Sequence, residues 1–302
     1  MSGSLVRLEE ISSAAFNGLD KEKTVIFVPI SPIEGHGSHL PLGVDFYDAV
    51  FFAQKAAEIT LSKKPDFDMV ICPGIPLGTQ VYRQPGSLRI DPVSVYRIAY
   101  GLGASLATWG CRYVFLLSGH GSPRDIVALE SACKKVSRKF KIQMHDLSGA
   151  LAIKFLSGQF IERISVKLRR PLTVEEEELL RNDIHGGWWE TSMMLLLKPD
   201  LVDDGFKDLP DTRKGEQGGK PGYYGSPSRA SLEFAEASVG AIVEEAGRVI
   251  ADCLSGRDVS RDTTSSLHRV IFLRPFFRRN LVLALAALLI LLCFLLAVII
   301  LR

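Results

Sequence analysis

Four of the six histidines in this 302-residue chain stand beside carboxylates or glycines in three short clusters. The first runs from Ile33 to Asp45 and holds Glu34, His36, His39 and Asp45. The second is Ser118-Gly119-His120-Gly121-Ser122. The third runs from Asp183 to Ser192 and includes His185, Gly186, Gly187, Trp188, Trp189 and Glu190. Imidazole and carboxylate together suit Zn²⁺, Mn²⁺ or Fe²⁺. A catalytic centre needs about three protein ligands per ion and keeps one position open. A carboxylate shared by two ions lets the pair hold a nucleophile and the reacting oxygen together. Glycines let the backbone come close to such a group. Taken singly, each histidine reads as a structural residue in a polar loop. Taken together, the three clusters read as a metal site.

Regular elements must bring these clusters to one place. Residues 24–30, TVIFVPI, read as a buried strand, 46–62 as a helix and 68–72 as a strand. Then 93–109 reads as a helix, 113–118 as a strand, 123–140 as a helix and 141–146 as a strand; 190–197 and 232–254 read as helices. That order predicts βαβ units, hence an α/β fold with a mainly parallel sheet and helices on both faces. In such sheets ligands gather beyond the C-terminal ends of the strands. Glu34 follows the first strand, residues 79–85 follow the second and His120 follows the third, so three loops would share one rim. Residues 205–230 are rich in Gly, Pro and charge and read as a long loop. The stretch 162–170, ERISVKLRR, reads as a solvated helix face rather than a lipid-binding one.

The totals narrow the functional class. Beyond residue 255 there are seven Arg or Lys against two Asp, so the tail is basic and the body mildly acidic. A nucleic-acid binder would carry its basic patch on the folded domain, so no nucleic-acid partner is expected. Cys72, Cys111, Cys133, Cys253 and Cys293 are scattered and odd in number, which argues against disulfides and zinc–cysteine sites. Residues 255–268 read as a flexible linker with a reach of roughly 20 Å. Leu281 to Leu301 is a run of 21 apolar residues, which as a helix spans roughly 30 Å, a bilayer core. Arg274, Arg278 and Arg279 precede the run and only Arg302 follows it. A C-terminal membrane anchor with the body on the cytoplasmic side is therefore expected.

The three clusters resemble the creatininase family of metal-dependent amidohydrolases. The family motifs read roughly E-Q-H-G-x-H-L-P-L-x-x-D, N-G-H-G-G-N and H-A-G-x-x-E-T-S; here the chain has EGHGSHLPLGVD, SGHGSP and HGGWWETS. GYYGSPSRAS is similar to a further G-x-x-G-x-P-x-x-A-[ST] segment. The resemblance covers about residues 5–254 and leaves the tail outside. It implies a three-layer α/β fold for the hydrolase domain, placed over 1–254; the composition of the tail adds a flexible basic linker over 255–280 and a transmembrane helix over 281–301. The resemblance also implies roles. Glu34 and His120 would bind one ion, His36 the second, and Asp45 both. Glu190 would be a further ligand or would hold the attacking water. His185 would carry a proton to the leaving nitrogen, and His39 would support the loop from outside.

The chain also departs from the family pattern. Ser118 stands for Asn, and Ser122-Pro123 for Gly-Asn. One creatinine-cleaving subgroup has a carboxylate where Ser122 stands, so the second ion leans on Glu190. The segment E-H-x-x-F-P-G-T of many members is GTQVYRQPGSL here, which brings in Arg83 and Gln84 and makes creatinine an unexpected substrate. Arg83 is a candidate partner for a substrate carboxylate, through its bidentate guanidinium. Trp188 and Trp189 are candidates for an apolar pocket wall. The expected activity is hydrolysis of a C–N bond in a small amide, cyclic amide or peptide, with two divalent ions (Zn, Mn or Fe). Oligomers are common in the family, so a homo-oligomer is an expectation. The alternative is an inactive, tethered relative that binds metal and serves as a scaffold.

Overall fold

Six strands form one sheet: β1 (Leu5–Arg7), β2 (Thr24–Ser31), β3 (Asp68–Ile71), β4 (Ile75–Pro76), β5 (Tyr113–Leu117) and β6 (Gln143–Asp146). The computed structural model describes residues 3–213 and 222–300, the last ten as backbone alone. The helices are α1 (Ser13–Gly18), α2 (Val44–Lys63), α3 (Pro92–Thr108), α4 (Pro123–Phe140), α5 (Ser148–Leu156) and α6 (Ile161–Leu168). They continue with α7 (Val174–Arg181), α8 (Trp188–Leu197), α9 (Leu232–Leu254) and α10 (Phe277–Ile300).

The strand order is β1-β3-β2-β5-β6, with β4 beside the end of β2, and every ladder among the described residues is parallel. Parallel strands covered on both faces read as continuous apolar runs, and all of β2 is buried. Alternate side chains enter different layers. Ile26, Val28, Val114 and Leu116 meet Val95 and Ala99 of α3 and Ala128, Ala132 and Val136 of α4. Val25, Phe27, Phe115 and Leu117 meet Ala53, Ala56 and Ala57 of α2 and Ala246, Val249 and Ile250 of α9. The result is the three-layer α/β arrangement with a parallel sheet that the sequence predicts. After β2 the chain moves to β3 on one side, then through α3 to β5 on the other. That reversal opens a crevice at the C-terminal ends of β2 and β5, the place where such sheets bind ligands.

Several elements are not visible in the residue pattern. β1 and β4 have three and two residues, too few to show alternation. The stretch 162–170 falls largely on α6, whose cations pair with α9: Arg163 with Glu245 at 3.2 Å and Lys167 with Glu244 at 2.6 Å. The loop expected over 205–230 lies partly outside the described residues; its ends bridge Thr212 to Gly225 and His185 to Tyr224.

The flexible linker over 255–280 needs correction. Its first part is docked on the body. Val259 is buried in the α2/α9 core, and Asp262 pairs with Arg248 at 2.8 Å and Lys154 at 3.3 Å. The Ser265 N–H donates to Glu130 at 2.6 Å, and Thr263 Oγ1 lies 2.9 Å from His145 Nδ1. A polar composition suggests coil only while its partners are unknown, and here the partners are on α4, α5, β6 and α9. Among the described residues no helix is long and apolar enough to cross a membrane. The apolar run 281–301 extends beyond the described side chains, so the expected transmembrane helix lies partly outside them.

Candidate metal centre

The turn after β2 delivers Glu34 and His36. The Glu34 N–H bonds back to the Leu42 carbonyl at 2.9 Å, closing the loop, and its carboxylate accepts the Tyr82 N–H. His36 Nδ1 lies 3.0 Å from the Glu34 carbonyl. A carbonyl only accepts, so Nδ1 carries a proton and Nε2 is left facing the site. Asp45 sits in the first turn of α2, with its backbone against Gly119 in the loop after β5. One of its oxygens, Oδ1, is 3.6 Å from His36 Nε2, and the other, Oδ2, is 3.3 Å from His120 Nδ1. His120 Nδ1 is also 3.1 Å from Glu34 Oε2, and His36 Nε2 is 3.5 Å from Glu190 Oε2. His120 arrives on the loop after β5, where Gly119 is essential to the approach: a Cβ there would lie 2.4 Å from the Asp45 carbonyl oxygen. Glu190 comes from α8. Its carboxylate accepts the N–H of Gly186, whose φ of +59° fits the left-handed turn that glycine adopts easily.

Three sets of ligand atoms converge within 4.8 Å: Glu34, His36 and His185; Glu34, Asp45 and His120; and His36, Asp45 and Glu190. Asp45 therefore stands between two histidines, one carboxylate oxygen toward each. The group asks for cations. Glu34 Oε2, His36 Nε2 and Asp45 Oδ2 are buried with no hydrogen bond among the described residues. Burying ionised carboxylates without partners is expensive. Burial lifts the pKa of Glu34 and of Glu190 to about 7. Burial would lower His36 and His120, but Asp45, with Glu190 at His36 and Asp125 at His120, wins and raises both to about 10. Burial would raise Asp45, yet the same two histidines hold it well below the usual carboxylate range. In the absence of an ion, protons on the imidazoles supply the missing positive charge. Divalent ions would displace them, as metal binding does wherever ligands must give up protons. These oxygen and nitrogen donors fit such ions.

Sequence reasoning missed several groups around this cluster. Asp125, in the first turn of α4, accepts two bonds from the Thr79 N–H at 2.8 and 2.9 Å and one from the Ser122 hydroxyl at 3.0 Å. Its Oδ2 lies 3.5 Å from His120 Nε2, and the Thr79 carbonyl is 3.3 Å from the same atom. These acceptors keep the proton on Nε2 and turn Nδ1 to the cluster. Ser122, the departure in the second motif, thus holds the acid that orients His120. Asp48 is one turn beyond Asp45 on α2 and fully buried, with neither oxygen hydrogen-bonded among the described residues. Burial, with Glu190 and Asp45 nearby, raises its pKa well above the ordinary value. The i, i+3 spacing from Asp45 was the available signal.

His185 stands between the rings of His36 at 4.1 Å and Tyr82 at 4.3 Å, with Nε2 2.8 Å from the Gly35 carbonyl. Burial and His36 drive its pKa well below the usual value, so it is neutral. Its backbone is clamped to Tyr224 in both directions, at 3.0 and 2.6 Å. His39 Nε2 lies 3.1 Å from both the Gly186 carbonyl and Thr191 Oγ1, outside the cluster and tying the first motif to the third. Arg83 is exposed and does not line the cleft beside the cluster. Trp188 is corrected from substrate wall to core: it is 4% exposed and stacks on Phe234 at 4.3 Å. Trp189 lines the cleft, against Phe52 at 6.3 Å and Phe155 at 5.4 Å.

Comparison with known proteins follows the same lines. Residues 9–250 match the family described as "Creatininase: Creatinine amidohydrolase". Over 180 residues the chain is 26% identical to the mycofactocin precursor peptide peptidase of Mycolicibacterium smegmatis, covering 59% of this chain and 60% of that one. Over 192 residues it is 25% identical to the creatinine amidohydrolase of Pseudomonas putida, covering 59% and 66%. The chain thus spans less than two thirds of either relative. A solved structure described as "Creatininase Mn" superposes with a TM-score of 0.62 at 21% identity, covering 83% of this chain and 97% of that one. A crystal structure of creatinine amidohydrolase gives 0.60 at 20% identity, covering 83% and 96%. Another creatininase structure is described as "Zn-Zn type". At these identities the structural likeness concerns the fold.

Proposed function

The chain belongs to the creatininase family, whose members are metal-dependent amidohydrolases, and from that premise we propose that it hydrolyses the C–N bond of an amide, a cyclic amide or a peptide. Of the two relatives, one is named for a precursor peptide and the other for creatinine, so both a peptide and a small cyclic amide fall within the reading. The observation that carries it is Asp45, buried between His36 and His120 with one oxygen toward each. In this reading Glu34 and His120 hold one divalent ion, His36 the other and Asp45 both, with Glu190 as a further ligand or as the group that holds the attacking water.

When bound, the ions would polarise the amide carbonyl and lower the pKa of water toward about 7. The chain's own groups do the rest. Glu190 faces both His36 and the cleft, with its carboxylate fixed by the Gly186 N–H, so it can take a proton from the attacking water. His185 lines the same cleft and is neutral at rest, so it would take up the proton that Glu190 removes from the water and pass it to the departing nitrogen, which is otherwise a poor leaving group. Buried walls around Glu34, His36 and Asp45 keep bulk water from the carboxylates. We further propose that residues 281–301 anchor the chain in a membrane with the body on the cytoplasmic side. The support is the unbroken apolar run and the arginines before it.

Elemental mass spectrometry on the full chain in detergent, beside Asp45→Ala, tests the central claim. Near two ions per chain in the parent, a large loss in the variant, and turnover of at least one member of an amide and peptide panel are expected. No ion after reconstitution with Zn²⁺, Mn²⁺ and Fe²⁺ would remove the hydrolase reading. Bound ions without turnover would favour the metal-binding scaffold.

A further inference from the structure

We infer that the substrate carries a neutral apolar group of about the size of a benzene ring or a leucine side chain, seated in a cleft beside the metal cluster. This rests on the amide-hydrolase reading and deepens it. The cleft opens onto His120, His185 and Glu190, so an occupant lies next to the reacting groups. Its apolar walls come from α2 (Phe52, Ala56), α5 (Leu151, Phe155), Trp189 and α9 (Ile242). Its volume is about 130 Å³. A cavity of roughly 150 Å³ with similar lining takes a benzene-sized guest.

The polar groups of the cleft point to the same class. Among the described residues no Lys or Arg lines it, and Arg83 lies outside it, so away from the ions the described side chains offer a substrate carboxylate no cation. The remaining acid, Asp183, is committed to the N–H groups of Trp188 at 2.7 Å and Trp189 at 2.6 Å, where it caps α8. Ser148 is likewise committed, accepting the Ser118 N–H at 2.5 Å. A guanidinium, a carboxylate or a zwitterion would be desolvated against aromatic and aliphatic walls without a partner, which is costly. A phenyl or isobutyl group gains by the same burial. Trp189 packs against Phe52 and Phe155, so the wall is already formed without a substrate.

The test uses the full chain in detergent, loaded with Zn²⁺ or Mn²⁺. Hydrolysis of acetamide is compared with that of phenylacetamide and N-benzylacetamide, and phenylacetamide binding is followed by tryptophan fluorescence. A 10- to 100-fold preference in kcat/KM for one phenyl compound is expected, about what burying one such group provides. Ala152→Trp, placed to fill the cleft from its half-buried edge, should erase that preference. Metal content and acetamide turnover should stay as they were. Should Ala152→Trp fail to fold, Leu151→Phe is the second filler and should reduce the preference. Equal rates on acetamide and the phenyl compounds, or a preference for a charged amide, would overturn the inference. Phenylacetamide binding without turnover of any amide would overturn the hydrolase reading and leave the apolar site standing. Turnover without any phenylacetamide response would do the reverse.

Discussion

Asp45, Asp125, Asp48 and Glu190 are four acids around one cluster, and their surroundings give them different work. Asp125 acts through His120: its Oδ2, with the Thr79 carbonyl, holds the Nε2 side, so Nδ1 is presented to the cluster. Loss of such an outer partner typically costs 10- to 100-fold in metal affinity. Asp125→Ala should show that loss by competition with a chelator, with folding retained by circular dichroism. Glu190 can be read as a ligand or as the group that receives a proton. Glu190→Gln separates the two: a drop from two ions to one marks a ligand, whereas unchanged metal content with a kcat loss of at least about 100-fold marks a base. Asp48 is a buried acid with no hydrogen bond among the described residues. Replacing such a group by an apolar one removes its desolvation cost. Asp48→Ala, the apolar change that adds no bulk, should therefore melt higher than the parent when both are metal-free, and gain less on metal addition. A lower melting temperature in the metal-free state would show that Asp48 has a structural partner.

At the scale of elements, close approach decides the site. The β5–α4 loop passes α2 so tightly that Gly119 has no room for a Cβ, with the Asp45 carbonyl oxygen at 2.4 Å and Asp48 Cβ at 2.8 Å from where it would stand. Gly119→Ala must push His120 away from Asp45. Loss of metal binding is expected, with a melting temperature several degrees lower; retention of two ions would contradict the packing. The segment after α9 is held by Glu130 on α4, through the Ser265 N–H. Burial and Asp146 raise the pKa of Glu130 from 4.5 to about 7. A folded-state pKa above the unfolded one means that its contribution is fully present below about pH 4.5 and is lost as pH rises through about 7. Glu130→Gln does not titrate. Relative to the parent it should gain stability between pH 4.5 and 7.5, by at most roughly 3 kcal/mol at 1.36 kcal/mol per pKa unit. Urea unfolding at the two pH values measures this, and a pH-independent difference would show that Glu130 is ionised at both.

For the whole molecule, metal and fold should be linked. Ions that bind only the folded chain stabilise it by about 2.7 kcal/mol at a concentration of 100 times Kd. In a domain of this size that is a rise in Tm of roughly 5–10 °C. Chelation should remove the rise, and Asp45→Ala should not show it. The tail makes a separate prediction. Full-length chain should float with neutral phosphatidylcholine vesicles and resist extraction by salt, because burial of an apolar helix is not screened as ion pairs are. Release by salt alone would remove the anchor. The docked segment after α9 brings the start of α10 onto the body, with Phe276 against Tyr96 at 4.9 Å. A membrane reached through that helix would therefore be met at a fixed part of the body rather than at the end of a free tether.

The local sequence determined what local periodicity and composition can determine. The apolar runs at 24–30 and 113–118 became β2 and β5, and the amphipathic stretches 123–140 and 232–254 became α4 and α9 with those bounds. The histidines and carboxylates of the three clusters were legible because their types and glycine neighbours are rare together. Tertiary structure alone decided which of them meet and how they are charged. Asp45 lies between His36 and His120 because the start of α2 packs against the loop after β5, and no spacing along the chain states that. Trp188 and Trp189 are adjacent in sequence, yet successive helical positions point in different directions. One is therefore core and the other lines the cleft. Asp125 and Asp48 look like ordinary helix carboxylates until burial removes their water. The polar stretch after α9 looked like coil because its partners, Glu130, Lys154 and Arg248, are distant in sequence and come together only when the chain folds.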